Sequence, residues 1–149
     1  MKTAPGFVLV ASVAAIVAGV AGCETQNPSN VAPQARHDIT FAATARYPGN
    51  AITAPDRVQA TAVVNDKMDR LEIYNPSDRA IPPSTLWVNG LFVHQLATIP
   101  PKGMAAVDKD ALLQAGPTAT SLTDSKQMIT KVELQTSDGL YTVQGPAMK

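Results

Sequence analysis

Few residues in this chain are of types that could do chemistry. Its 149 residues include one cysteine, Cys23, two histidines, His37 and His94, and 12 acidic against 12 basic side chains. A lone thiol excludes an internal disulfide framework and any multi-cysteine zinc or iron–sulfur centre. Asp108-Lys109-Asp110 lacks the further acids and the glycine of a calcium loop, so it reads as a helix cap rather than a cation site. The sequence contains no G-x-S-x-G, P-loop, H-E-x-x-H or G-x-G-x-x-G motif. Neither catalysis nor a metal or other cofactor is expected. A net charge of zero also argues against nucleic acid as a partner, because phosphate binding needs a basic excess.

The densest cluster of interest surrounds Asn89-Gly90, a strong signal for a two-residue hairpin turn. Such a turn pairs Val88 with Leu91, Trp87 with Phe92, Leu86 with Val93 and Thr85 with His94. One face then carries Leu86, Val88, Leu91 and Val93, and the other Thr85, Trp87, Phe92 and His94. Two readings follow. In one, Trp87 and Phe92 fill the core or lie beneath the long 109–127 crossover. In the other they form an exposed platform that stacks a sugar ring or anchors a protein, with His94 beside it. His94 alone fits a half-buried side chain with a hydrogen-bond partner better than a metal ligand or base.

The elements that must position these residues begin after residue 22. Residues 1–22 hold one charge, Lys2, and an apolar run over 7–20 (FVLVASVAAIVAGV). A positive start, a short apolar stretch and a small-residue exit describe a secretory signal peptide. A spanning helix is the rival reading, but it needs ~20 apolar residues, and the first downstream positive charge is Arg36. Val20-Ala21-Gly22-Cys23 resembles the lipobox of bacterial lipoproteins: an aliphatic residue, a small residue, Gly or Ala, then Cys. The resemblance implies that the Cys23 thiol takes a diacylglycerol, that the chain is cut before it, and that its new amine is acylated. Glu24 stands where Asp acts as an inner-membrane retention signal in enteric-type bacteria, which implies outer-membrane sorting.

Residues 23–37 contain two prolines, no aromatic and no periodic apolar face, and read as the lipidated cysteine followed by a flexible tether. Residues 38–149 read as one all-β domain of short strands punctuated by turn signals. Strands are expected near 39–46, 57–64, 69–75, 85–89, 91–96, 103–107, 128–136 and 140–144, with one helical turn over 110–115. An Asp138-Gly139 turn pairs Thr136 with Tyr141 and Leu134 with Val143, so apolar residues meet apolar ones. A four-residue turn over 65–68 pairs Ala62 with Leu71 and Ala60 with Ile73, leaving Thr61, Val63, Arg70 and Glu72 on the other face. Seven or eight strands in about 110 residues match a small immunoglobulin-like or fibronectin-like β-sandwich.

The folded part is also similar to small bacterial lipoproteins with such a domain. The matching residues are Asn75-Pro76-Ser77-Asp78, Leu86-Trp87-Val88-Asn89-Gly90 with Val93, Pro101-Lys102-Gly103 and Asp138-Gly139-Leu140-Tyr141. This resemblance implies the fold and no activity. The expected function is therefore that of a non-enzymatic lipoprotein, anchored to the cell envelope through Cys23, whose sandwich contacts an envelope protein. The alternative is a glycan or small-ligand module using the aromatic hairpin.

Overall fold

A computed structural model describes residues 33–50 and 58–148. Nine strands form two sheets: β1 (Thr61–Asn65), β2 (Arg70–Tyr74), β3 (Ser84–Val88), β4 (Phe92–Leu96), β5 (Met104–Asp108), β6 (Leu113–Gln114), β7 (Val132–Thr136), β8 (Gly139–Thr142) and β9 (Gln144–Met148). One sheet has the order β5-β2-β1-β9 and the other β6-β4-β3-β7-β8. In immunoglobulin lettering, β1, β2 and β5 are A, B and E, while β4, β3, β7 and β8 are C′, C, F and G. β9 continues from β8 into the opposite sheet, where it runs parallel to β1. The domain is thus an all-β, immunoglobulin-like sandwich.

Period-two alternation accounts for the core between the sheets. Ala62, Val64, Leu71, Ile73 and Val107 face Leu86, Val88, Phe92, Val132 and Leu134 in one buried cluster, with Ile81, Ile99, Leu112 and Leu122 also part of it. Two expected hairpins hold these faces with a shifted register. β1 and β2 pair Val64 with Leu71 and Ala62 with Ile73, because Asn65 stays in the ladder opposite Arg70. β7 and β8 pair Leu134 with Tyr141 and Thr136 with Gly139, so Ser137-Asp138 makes the turn. Each pairing has moved by two residues, which leaves every side chain on its expected face.

The third hairpin differs in a way that matters. Asn89 (φ 55) and Gly90 (φ 67) do make the tight turn, and the Leu91 N–H donates to the Val88 carbonyl at 3.0 Å. Leu91 then leaves the ladder, and its carbonyl accepts from the Ala115 N–H at 2.8 Å. Pairing resumes as Val88 with Phe92, Trp87 with Val93 and Leu86 with His94. The extra residue turns β4 over by one position, so Trp87 and Phe92 lie on opposite faces of the sheet.

Residues 39–46, expected as a strand, belong mostly to helix α1 (Pro33–Thr44). The helix starts inside the stretch read as tether, with Pro33 at a first-turn position where its missing N–H costs nothing. Its β-branched residues are accommodated locally. Thr40 Oγ1 donates to the Arg36 carbonyl at 2.9 Å and Thr44 Oγ1 to the Thr40 carbonyl at 3.2 Å. What decides the conformation is packing. Buried Ala42, supported by partly buried Phe41 and Ala45, meets Trp87, Val93 and Leu140 on the outer face of the five-stranded sheet. That sheet is therefore buried on both sides over part of its area.

The helical turn expected over 110–115 is a 3₁₀ turn at Lys109–Ala111, followed directly by β6 against β4. Asp108 occupies its N-cap without a side-chain capping bond. A second helix, α2 (Leu122–Ser125), is capped by Ser121, whose Oγ accepts from the Asp124 N–H at 3.1 Å and donates to its carboxylate at 2.7 Å.

Candidate functional site

The outer face of the five-stranded sheet carries Trp87 and a buried carboxylate, Glu133. Cross-strand register sets Val93, Trp87, Glu133 and Thr142 in one row and Gln95, Thr85, Gln135 and Leu140 in the next. Trp87 is 1 % exposed. The Tyr47 ring meets it edge-on, with centroids 5.3 Å apart and planes at 71°. Its indole N–H donates to Gln135 Oε1 at 2.8 Å.

Next to Trp87, Glu133 is fully buried. Tyr47 donates its hydroxyl to the Glu133 carboxylate at 2.9 and 3.1 Å, and Lys131 Nζ lies 2.7 Å from Oε1. Lys131 also bonds the Tyr47 hydroxyl at 3.1 Å. The Glu133 carboxylate, and after it the Tyr47 hydroxyl, push the Lys131 amine above its usual range. A buried charge needs such partners, since an unpaired one costs several kcal/mol or more. This triad pins the chain leaving α1 onto the sheet. It also explains Gly90, where an added Cβ would come within 3.3 Å of the Tyr47 ring.

A second buried carboxylate, Glu72, lies on the outer face of the four-stranded sheet. Its Oε1 accepts from Asn65 Nδ2 at 2.9 Å and from Arg70 Nε and Nη2 at 2.9 and 2.8 Å, and its Oε2 from the Tyr74 hydroxyl at 2.8 Å. The Asn65 bond, then those of Arg70 and Tyr74, hold its pKa down at about 2 against an ordinary 4.5. The same bond pushes the Tyr74 hydroxyl up.

Of the residues singled out in the sequence, Trp87 lies in the cluster beneath α1, while Phe92, also 1 % exposed, lies in the core between the sheets. His94 projects on the Phe92 side, half-buried, with Nδ1 3.2 Å from the Ala111 carbonyl oxygen. The three do not form one patch, because the bulge at Leu91 separates them. Cys23 lies outside the described residues. Among the described residues, no three His, Cys, Asp or Glu side chains are placed to hold a metal ion, and no helix is long and apolar enough to cross a membrane. The sequence reading missed Tyr47, Lys131, Glu133 and Gln135 as a group. Glu133 and Gln135 carried only the signal of a polar strand face, and Tyr47 lies 86 residues from its carboxylate partner.

Among the described residues, two features, one on each sheet, are left without a covering element. The first is the free margin of β5, which pairs only with β2 among the described strands. Gly103 and Lys109 bond inward to Asn75 and Asp69. Antiparallel alternation therefore turns the backbone groups of Met104, Ala106 and Asp108 outward. The second is a concavity of about 410 Å³ beside Trp87, over Thr85, Gln95 and Gln135. No protein-family model, curated protein or solved structure matches the chain.

Proposed function

We propose that this chain is a lipid-anchored, non-enzymatic protein of the bacterial cell envelope, held to the membrane through Cys23, whose sandwich recruits an envelope protein. The order of Lys2, the apolar run and Val20-Ala21-Gly22-Cys23 supports the anchor, and Glu24 favours the outer membrane over the inner. Two or more acyl chains on one cysteine give stable attachment, at ~0.8 kcal/mol for each buried CH₂. The buried carboxylates of Glu72 and Glu133 are tied to structural partners, which supports binding over catalysis.

The observation that carries the binding reading is the margin of β5. Exposed strand edges are normally blunted by lysine, proline, brevity or a cover. β6 has two residues, β8 opens with a glycine and β9 contains Pro146, whereas β5 (MAAVD) has no proline and one charge, at its end. Met104 is 41 % exposed at the other end. An extended segment of a partner can add to such an edge through main-chain hydrogen bonds. The test is a photo-crosslinking side chain placed at Ala106 in cells. The reading expects a discrete protein adduct there that disappears when Cys23→Ser removes the anchor. No adduct at 106, or the same adducts from positions far from β5, would count against it.

A further inference from the structure

We propose that the groove over Gln95, Thr85 and Gln135 is a binding site for an uncharged, hydroxylated ligand, a saccharide. The three side chains stand on directly opposed positions of β4, β3 and β7, beyond the area that α1 covers. Pro83 and Ser137 are also part of the wall of this 410 Å³ concavity, which is within the size range of small-molecule sites.

The chemistry of the lining selects the ligand class. No residue lining the groove is ionisable, so a charged ligand would lose its hydration without gaining a counter-charge. An apolar ligand would dry out the Thr85 hydroxyl and the Gln95 carboxamide, neither of which has a protein partner among the described residues. A peptide cannot add as a strand over Thr85 or Gln135, because β3 and β7 are paired on both sides there; only β4, beyond its two pairs with β6, keeps an open margin. A sugar hydroxyl both donates and accepts, as does each carboxamide and the threonine hydroxyl.

Trp87 takes a different part from the one its aromatic ring suggests. It is too deeply buried to stack on a sugar, but its indole N–H holds Gln135 Oε1 at 2.8 Å. That bond orients the Gln135 carboxamide with its NH₂ free to donate into the groove, so less freedom is lost on binding. Trp87 is thus a positioning residue. The site depends neither on the Cys23 anchor nor on the β5 edge.

The test uses the full-length chain in a detergent without a sugar headgroup, labelled with ¹⁵N and titrated with cellobiose and with N,N′-diacetylchitobiose. Trp87 is the only tryptophan, so the chain has one indole N–H resonance. At least one of the two sugars is expected to shift that resonance and the Gln135 side-chain amide saturably. Gln95→Ala should weaken binding about fivefold or more, the worth of one hydrogen bond, with an unchanged melting temperature. Thr85→Val should act in the same direction. The proposal is overturned if neither sugar moves these resonances, or if both variants bind as the wild type does. A saturable response to a neutral hexapeptide but to neither sugar would also overturn it.

Discussion

Asn75 shows how much one polar side chain can organise. Almost fully buried, it donates from Nδ2 toward the carbonyls of Arg79, Ile99 and Pro100, while its Oδ1 accepts from the Ser77 N–H and hydroxyl. It ties the loop after β2 to the loop before β5, and so sets the crossing between sheets. Asn75→Ala should cost about 2 kcal/mol in urea unfolding, since it strands buried carbonyls without a donor. Ser77→Ala, at a more exposed position, should cost less. Glu72 yields a pH prediction. Its folded pKa lies below the unfolded value, so its contribution to stability is present above about 4.5 and lost as pH falls toward about 2. Melting temperatures of the wild type and Glu72→Gln should therefore differ at neutral pH and converge across that window. A constant difference down to the acid end would show that the carboxylate contacts are not what the substitution removes.

At the scale of elements, α1 is the part least expected from its own residues. Ile39-Thr40-Phe41 favours a strand, and the residues that make it a helix, Trp87, Val93 and Leu140, are tens of positions away. If α1 covers Trp87 as described, the wild-type fluorescence is blue-shifted and resists iodide. Ala42→Glu, placing a charge at a 1 % exposed contact, should shift the emission to the red and open it to quenching. Tyr47→Phe should destabilise by about 1–3 kcal/mol, because it leaves Glu133 with Lys131 alone. The sandwich class and the faces of β1, β2, β7 and β8 were legible, because alternation survives a two-residue slip. The face of β4 was not, since it depends on the Ala115 N–H capturing the Leu91 carbonyl. The cap of α2, Ser121-x-x-Asp124, went unread, although its spacing is that of a capping box. The candidate site was legible only as a strand carrying Trp87. Its partners on the neighbouring strands depend on register, which short-range pattern leaves open.

On the proposed reading, the molecule as a whole divides into an address and a sandwich. Without residues 1–22 the chain keeps 127 residues, 11 basic and 12 acidic groups, and a nominal charge of −1 (Lys2 being the one charge removed). In the proposed account the β5 edge recruits its partner because the protein is held at a membrane, while the groove beside Trp87 binds its ligand with or without the anchor. That account stands or falls on Cys23. The decisive measurement is intact-mass spectrometry of the protein purified from bacterial membranes, wild type beside Cys23→Ser. The account predicts a wild-type mass equal to residues 23–149 plus two or three acyl chains, and no acylation or cleavage at that position in Cys23→Ser. A wild-type mass equal to the unmodified 149-residue chain would contradict it and leave residues 1–22 as a membrane-spanning segment.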